Sequence, residues 1–443
     1  MITKTHRSVW ALAGPMLVTN LSIPLLGFVD TAVLGHLDAP TDLAAVALAT
    51  AILSFVYWGF GFLRMGTTGL TANAFGANNN EQLSRLIMQG LCLALLISTV
   101  VLLSQWLWRS PAISAMGANS ATSAIANNYL AIRLFSMPAV LATYVAVGWL
   151  LGIGNAKATL VIAVGTNLLN ILGDLIFVLV FGWGAEGAAL ASVIAEYVGV
   201  LIAAAYLLHY RRKFQLAQPK NWLAGWRQLI QANSALFVRT LLLLFAIAFF
   251  TSQGARLGEL TLAANAILYQ LVAASAFALD AFAHATESLA GRFIGNKDQR
   301  AFRTHTGAAL VWALVCALII SLVYYLAGSE ILNLFTQQAD ILEVANEALP
   351  WVVLIPLVSI LSYQLDGLYI GAGEYAAMRN IMIVSVIIYL SVFYVSQTWG
   401  NDGLWLAFIA LNASRSALMT GHWLKARQRW FFVAEGRGLR AKG

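Results

Sequence analysis

Apolar stretches long enough to cross a lipid bilayer recur along the whole chain, separated by short polar breaks. A membrane-spanning helix needs about 20 predominantly apolar residues, because it must cross a hydrocarbon core about 30 Å thick. Only 10% of the residues are charged, whereas a soluble domain carries about 25%, so this chain cannot build a water-exposed surface. We predict an all-α polytopic membrane protein. Its twelve transmembrane segments, numbered 1 to 12, cover residues 8–36, 42–72, 82–108, 123–153, 158–182, 185–209, 226–254, 260–292, 300–327, 342–372, 376–398 and 402–425.

The positions of the basic residues predict the orientation of these segments. The net charge is +7, and most of the 26 Lys and Arg residues fall in loops on one side or in the tail beyond Leu424. Only Arg109 and Arg256 fall in loops on the other side. Lys and Arg accumulate in cytoplasmic loops. We therefore expect a multi-pass protein of the cell (inner) membrane with both termini in the cytoplasm, and no nucleic-acid partner.

Sequence motifs for enzyme or cofactor chemistry are missing. The chain has no Walker motif, no Gly-rich fingerprint after a strand, no His or Cys metal spacing and no His-Glu-x-x-His. Cys92 and Cys316 fall in apolar segments, where we expect ordinary packing and no disulfide. Segment 1 is long enough to span and lacks a small-residue cleavage site, so we expect no cleavable signal. We expect no enzyme activity, no cofactor and no metal.

The two halves of the chain repeat each other at an offset of 219 residues. Leu43–Leu48 recurs as Leu262–Ile267, Phe75–Asn78 as Ile294–Lys297, and Gly148–Gly154 as Gly367–Gly373. Each half holds six segments, and an even number gives both halves the same orientation in the membrane. We predict two pseudo-symmetric six-helix lobes, an N-lobe at 1–213 and a C-lobe at 226–443 with a basic tail, joined by a cytoplasmic linker at 214–225. Secondary transporters with this plan bind substrate between their halves, although duplicated membrane proteins that transport nothing are the alternative.

Five polar side chains of the N-lobe are predicted to share one depth in the outer half of the membrane. They are Asp30 on segment 1, Tyr129 on segment 4, Asn170 and Asp174 on segment 5, and Ser192 on segment 6. Asn170 and Asp174 are four residues apart and therefore lie on one helix face. A carboxylate in hydrocarbon is costly and is a functional candidate by default. Two neighbouring carboxylates cannot both ionise easily, so one should hold a proton near neutral pH.

The structural alternative is that Tyr129, Asn170 and Ser192 only join helices through hydrogen bonds. Arg133, four residues after Tyr129, would neutralise a neighbouring acid. The C-lobe differs, since the positions 219 residues after Asp30, Asn170 and Asp174 hold Phe249, Tyr389 and Phe393. Its own ionisable residues are Asp280, His284, Glu287 and Asp366, with Arg239, Arg64 and Arg415 as candidate partners. We favour offsetting ion pairs here over a second ion site.

The chain resembles the multidrug and toxic compound extrusion (MATE) transporters, and among them the DinF-like branch. The resemblance covers nearly the whole chain and is carried by Pro15 and Asp30, by Gly148–Gly154, and by Asn170–Asp174. It implies that the five polar residues of the N-lobe form a coupling network and that segment 1 bends at Pro15. It also implies export of small-molecule drugs or toxic organic cations by alternating access, in exchange for inward movement of H⁺ or Na⁺.

One position departs from the sodium-coupled NorM-like branch of that family. That branch has a carboxylate on helix 7 that works with an acid on helix 10, whereas here Arg239 stands on segment 7 and Asp366 is retained on segment 10. We therefore predict a proton-coupled drug antiporter that acts as a monomer in the lipid bilayer. A Na⁺-coupled antiporter, a flippase for lipid-linked precursors, and a channel or membrane-embedded enzyme are the alternatives.

Overall fold

A computed structural model describes residues 2–35, 40–117, 119–219 and 221–432, and the side chains at 2–3, 23–35, 40 and 432 lie outside that description. The described backbone consists of helices and short turns, with no β-strand within these ranges. The side chain of Asp30 and the basic tail beyond residue 432 therefore lie outside the described residues. The fold class predicted from the sequence, an all-α polytopic membrane protein, is confirmed.

Eight α-helices make up the first half of the chain. They are α1 (Ile2–Gly35), α2 (Pro40–Gly59), α3 (Phe62–Gly76), α4 (Asn80–Ala115), α5 (Ser120–Leu134), α6 (Met137–Gly152), α7 (Ala156–Asp174) and α8 (Gly184–Lys213). Seven more follow in the second half. They are α9 (Trp226–Arg256), α10 (Glu259–Gly295), α11 (Gln299–Phe335), α12 (Ala339–Ala372), α13 (Tyr375–Ser396), α14 (Asn401–Ala426) and the short α15 (Arg429–Phe432).

Each predicted segment corresponds to a helix or to a pair of consecutive helices. Segment 2 is formed by α2 and α3, and segment 4 by α5 and α6. Within the described ranges nine helices are long and apolar enough to cross a membrane, and the bent pair α5 and α6 adds a tenth. α14 corresponds to segment 12 and carries Asn412 and Arg415 in its middle, which makes it less apolar.

Packing divides the chain into two compact units. The N-terminal unit is Val18–Leu229, and the C-terminal unit combines Met1–Leu17 with Ile230–Gly443. α1 contributes to both units, and the change falls just after Pro15. In the C-terminal unit, Trp10 packs edge-on against Trp312 with ring centroids 5.3 Å apart. The lobe limits drawn from the sequence, 1–213 and 226–443, stay a prediction.

Turns and caps at equivalent positions show that the sequence repeat is a structural repeat. Asn79 caps α4 by accepting a hydrogen bond from the backbone N–H of Gln82 at 2.9 Å. At the offset of 219 residues, Asp298 caps α11 in the same way through the N–H of Ala301, also at 2.9 Å. The residue before each cap is left-handed, with φ of 53° at Asn78 and 61° at Lys297. These side-chain caps satisfy backbone donors that a helix leaves without an internal partner.

Two glycines in each unit let a pair of helices approach closely. A Cβ atom at Gly148 on α6 would lie 2.5 Å from the backbone oxygen of Arg64 on α3. In the C-terminal unit the position equivalent to Gly148 is Gly367, and four residues further on a Cβ atom at Gly371 on α12 would lie 2.6 Å from the backbone oxygen of Glu287 on α10. Small residues four apart are a common device for close packing of membrane helices, where burial of apolar surface gives little driving force. The same device therefore holds the centre of both units.

The units differ in the continuity of their helices. α10 and α12 run without interruption, whereas their N-terminal counterparts are each broken into two helices. The breaks fall at Phe60–Gly61 and at Phe135–Ser136, and α5 and α6 are bent by 49° at the second. In addition, α7 continues into a π-helical stretch at Leu175–Val180. Broken helices at membrane depth are tolerated where they line a cavity, and π-helical turns are frequent at functional sites.

Candidate functional site

A cavity of about 90 Å³ lies inside the N-terminal unit, between α2, α5, α7 and α8. Both broken helix pairs contribute to its lining through their first helices, α2 and α5, which end at the two breaks. Ten of its lining side chains are polar or charged although they come from apolar helices: Thr50, Ser54, Tyr57, Tyr129, Arg133, Thr166, Asn167, Asn170, Ser192 and Glu196. Polar groups are costly inside a membrane protein. Their convergence on one cavity makes this the candidate functional site.

Three of the five predicted N-lobe residues meet at this cavity. The Asn170 side chain donates a hydrogen bond from Nδ2 to Oγ of Ser192 at 3.1 Å, which joins α7 to α8. Tyr129 on α5 lines the same cavity. All three side chains are buried, so each contributes to the interior of the unit rather than to its lipid-facing surface. The bond between Asn170 and Ser192 is also the helix-joining contact that the structural alternative expects.

Asp174, the fourth predicted residue, lies one helical turn beyond Asn170 and is the last residue of α7. It is 2% exposed and is not among the residues that line the cavity. The helix packing around it is close, since a Cβ atom at Gly173 would lie 2.8 Å from Cβ of Ala191 on α8. The π-helical stretch begins immediately after Asp174. The acid therefore sits at a change of helix geometry, buried between α7 and α8.

The first helix reaches the same region. Asn167 on α7, one of the cavity residues, donates a hydrogen bond from Nδ2 to Oγ of Ser22 on α1 at 3.0 Å. Asp30, the fifth predicted residue, follows Ser22 by about two turns, but its side chain lies outside the described residues. Pro15 lies inside α1 and is half-buried.

Glu196 is a cavity residue that the sequence analysis missed. It follows Ser192 by four residues on α8, so the two share a helix face. Arg133, which was predicted to neutralise an acid, lines the same cavity and interacts electrostatically with Glu196. The signal was present in the sequence, because the spacing that links Asn170 to Asp174 also links Ser192 to Glu196. An acid within segment 6 should have been a candidate on that ground.

The two helix breaks are joined to each other at the cavity. The hydroxyl of Tyr57, near the end of α2, lies 2.9 Å from Oγ of Ser136 and donates to the backbone oxygen of Arg133 at 3.4 Å. The Ser136 hydroxyl in turn donates to the same backbone oxygen at 2.8 Å. The Arg133 guanidinium lies over the Tyr57 ring, with Cζ 5.9 Å from the ring centroid. Carbonyl groups freed by the break in α5 are thus satisfied by side chains.

In the C-terminal unit Asp366 forms ion pairs with two of the predicted arginines. Oδ2 of Asp366 on α12 accepts from NH2 of Arg239 on α9 and, at 2.6 Å, from NH2 of Arg415 on α14. Nδ1 of His284 lies 3.6 Å from Oε2 of Glu287 on the same helix. Asp280 lies within electrostatic range of Tyr363. Arg64, the remaining candidate partner, lies on α3 in the N-terminal unit.

Aromatic rings occupy the C-terminal positions that correspond to the predicted polar set. Phe249 contacts Tyr389 with centroids 5.6 Å apart and Phe393 with centroids 5.1 Å apart, both edge-on. Nearby, Phe250, Trp405 and Phe408 form a second group of touching rings. The repeat has therefore preserved the backbone arrangement, while one unit carries a polar cavity and the other an aromatic core. Across the described residues no three His, Cys, Asp or Glu side chains are arranged to hold a metal ion.

Comparison with known proteins assigns the family. The sequence profile described as MatE matches residues 15–176 and 235–395. The chain belongs to the MatE family. A relative named DNA damage-inducible protein F, from Escherichia coli (strain K12), is 38% identical over 440 residues, which are 97% of this chain and 95% of that protein. A relative named probable multidrug resistance protein NorM, from Bacillus cereus (strain ATCC 14579), is 25% identical over 89% of this chain and 90% of that protein.

Solved structures agree with the family at the level of the fold. One described as MATE in complex with MaD3S superposes with a TM-score of 0.83 at 21% identity and covers 96% of both chains. The resemblance to MATE transporters drawn from the sequence is therefore confirmed. Members of this family are transporters rather than enzymes, and this chain is a multi-pass membrane protein of the MATE family.

Proposed function

We propose that the chain exports small organic cations from the cytoplasm across the inner membrane, as a monomer with both termini in the cytoplasm, in exchange for protons. The observation that carries this proposal is the polar cavity of the N-terminal unit, next to the buried acid Asp174. The equivalent positions of the C-terminal unit hold touching aromatic rings. A transporter that moves protons needs a group that binds them inside the bundle, and the N-terminal unit supplies carboxylates there.

The repeat supports assigning Asp30 to the same site. Its counterpart Phe249 contacts the counterparts of Asn170 and Asp174, which are Tyr389 and Phe393. The hydrogen bond between Asn167 and Ser22 also supports this assignment, because it joins segments 1 and 5. Both segments are predicted to run outward, and on each the acid follows the hydrogen-bonded residue by about two helical turns. We propose that Asp30 and Asp174 bind the coupling proton together.

Protons are favoured over sodium because of the ion pairs in the C-terminal unit. Asp366 already accepts hydrogen bonds from two guanidinium groups, those of Arg239 and Arg415, which offset its negative charge. A carboxylate so neutralised is a poor ligand for Na⁺, which needs oxygen atoms with negative charge to replace its water. A flippase for pyrophosphate-linked lipids would need an excess of positive charge in the cavity, and there the charge of Arg133 is offset by Glu196.

The proposed cycle follows from differential proton affinity. Deprotonated carboxylates attract a cation from the cytoplasm, and protonation from outside removes that attraction, so the cation leaves. Pro15 lies close to the point where α1 passes from one packing unit to the other, and a bend there would change the cavity as the acids titrate. Coupling requires only that the two conformations bind protons with different affinity.

The test is uptake of a fluorescent organic cation into everted membrane vesicles, whose lumen corresponds to the cell exterior, under an imposed gradient of H⁺ or of Na⁺. Uptake that follows the proton gradient at zero Na⁺ supports the proposal. Uptake that follows only the Na⁺ gradient would identify sodium as the coupling ion, and cation flux that depends on neither gradient would indicate a channel. Transfer of a fluorescent lipid between leaflets, measured in the same vesicles, separates the flippase alternative.

A further inference from the structure

The cavity of the N-terminal unit is too small for a drug-sized cation as it stands. Its volume is about 90 Å³, which corresponds to about three water molecules in the liquid, whereas pockets for drug-sized ligands measure about 300–1,000 Å³. Displacement of a side chain that now borders the cavity would give a substrate the room it needs. The Arg133 side chain is long and half-buried, and the helix that carries it ends at the next residue.

Arg133 is held by the kind of groups that recognise organic cations. An aromatic face is present, since the guanidinium lies over the Tyr57 ring at 5.9 Å. A negative charge is present as well, since Glu196 from α8 interacts electrostatically with Arg133. A ring face together with a carboxylate is a common recognition arrangement for ammonium and other organic cations. Arg133 thus occupies a site that suits a positively charged ligand.

The other groups around Glu196 are consistent with this role. Tyr57 from α2 and Tyr144 from α6 lie within electrostatic range of it, and Arg64 from α3 lies within range of Tyr144. Asp174 lies at the end of α7, which packs against α8. Arg133 acts electrostatically on Glu196, donates a 3.5 Å hydrogen bond from NH1 to Oγ of Ser136, and places its guanidinium over the Tyr57 ring.

We propose that Glu196 and the face of Tyr57 form the site for the positively charged group of the substrate, and that Arg133 occupies this site as a tethered competitor until a substrate cation replaces it. The proposal rests on the proposed export of organic cations and adds the residues that select for positive charge. It assigns Arg133 a role in specificity, because an uncharged ligand cannot replace the attraction between the guanidinium and the site formed by Glu196 and the Tyr57 ring.

The experiment measures binding of tetraphenylphosphonium to the purified full-length protein in lipid nanodiscs, at one pH and without any gradient. Triphenylphosphine oxide, which has a similar shape and no net charge, is the comparison ligand. We expect Glu196→Gln to weaken tetraphenylphosphonium binding by about tenfold or more and Arg133→Gln to tighten it several-fold. Neither change should move the affinity for the uncharged ligand by more than about twofold.

Controls separate recognition from folding. Glu186→Gln changes an exposed acid on the same helix and should leave both affinities unchanged. Glu196→Asp keeps the charge and should keep most of the binding even if Glu196→Gln proves unstable. The proposal is overturned if Glu196→Gln binds tetraphenylphosphonium like the wild type, or if Arg133→Gln weakens binding as a merely structural arginine would. Because no gradient is applied, a failure here is distinct from a failure of proton-driven efflux in vesicles.

Discussion

Phe249 contacts Phe393 edge-on with ring centroids 5.1 Å apart, at the two positions of the C-terminal unit that correspond in the repeat to Asp30 and Asp174. Aromatic pairs of this kind stabilise a core by about 0.5–1.5 kcal/mol beyond their burial. Asp174, at the position that matches Phe393 in the other unit, has no ring for such a contact and is buried, where a carboxylate is costly. At this position the repeat therefore holds a carboxylate in one half and an aromatic ring in the other, which motivates testing the carboxylate first.

The first prediction concerns Asp174. Asp174→Asn preserves shape but removes the titratable charge, so we expect proton-driven efflux to fall by at least about tenfold, since coupling depends on a difference in proton affinity between conformations. The measurement is uptake of a fluorescent cation into everted vesicles, which corresponds to efflux from the cell. Glu347→Gln, an exposed acid on α12, is the control and should transport like the wild type. Wild-type efflux by the Asp174→Asn protein, at equal expression, would contradict the assignment of this acid to coupling.

The second prediction concerns the bond between Asn170 and Ser192. Ser192→Thr keeps the hydroxyl that accepts from Asn170 at 3.1 Å, so we expect transport to continue at a similar rate. Ser192→Ala leaves that amide donor without its acceptor, at a cost of about 0.6 kcal/mol on average for such a bond between membrane helices. We expect a slightly lower melting temperature and slower efflux for the alanine variant. If the alanine variant transports faster than the threonine variant, the bond is not part of the working site.

The third prediction concerns Asp366, which pairs with Arg239 and Arg415. Asp366→Asn removes the negative charge and leaves two buried guanidinium groups uncompensated, a change that typically costs about 3–5 kcal/mol. We expect a marked drop in the melting temperature, measured by size-exclusion chromatography after heating in detergent. Restoring charge balance with Asp366→Asn and Arg239→Gln together should recover part of the loss. A sodium-dependent rise in the wild-type melting temperature that Asp366→Asn abolishes would instead reveal a cation site here.

The sequence was informative about the membrane segments and about the repeat. Hydropathy detects the length of an apolar stretch, so segments 8 and 10 coincide with the continuous helices α10 and α12. It carries no information on the direction of the helix axis, so the breaks at Gly61 and Ser136 inside segments 2 and 4 were not predicted. Gly61 at the first break and Pro138, two residues after Ser136, at the second are available signals, but glycine and proline are too common in membrane helices to be decisive.

The candidate site was only partly accessible to sequence reasoning. Helix-face spacing brought Asn170 and Asp174 together, and helix direction and depth added Tyr129 and Ser192 to the same set. The structure places Tyr129, Asn170 and Ser192 at the cavity, whereas Asp174 does not line it. Which side chain borders an empty volume depends on the rotation of each helix about its axis, and the sequence does not give that rotation. Glu196 was missed for this reason, although its spacing from Ser192 had the same form.

The fourth prediction tests the packing that both units share. An added Cβ at Gly148 would lie 2.5 Å from the backbone oxygen of Arg64, and one at Gly371 would lie 2.6 Å from that of Glu287. Backbone atoms cannot move aside as a flexible side chain does, so Gly148→Ala or Gly371→Ala must push two helices apart. We expect each to lower the yield of folded protein and the melting temperature, in keeping with the cost of about 1–3 kcal/mol for overpacking a core.

Gly421→Ala on α14 is the matched control for that prediction, because a Cβ there would meet no atom within 4 Å. Alanine is a better helix former than glycine by about 0.5–1 kcal/mol, so this variant should be as stable as the wild type or slightly more stable. The measurement is the melting temperature of all three variants in the same detergent. Equal behaviour of the Gly148, Gly371 and Gly421 variants would show that close helix approach is not what these two contacts require. A loss confined to the first two would show that both halves depend on the same kind of glycine contact for their stability, although their polar cavity and aromatic core differ.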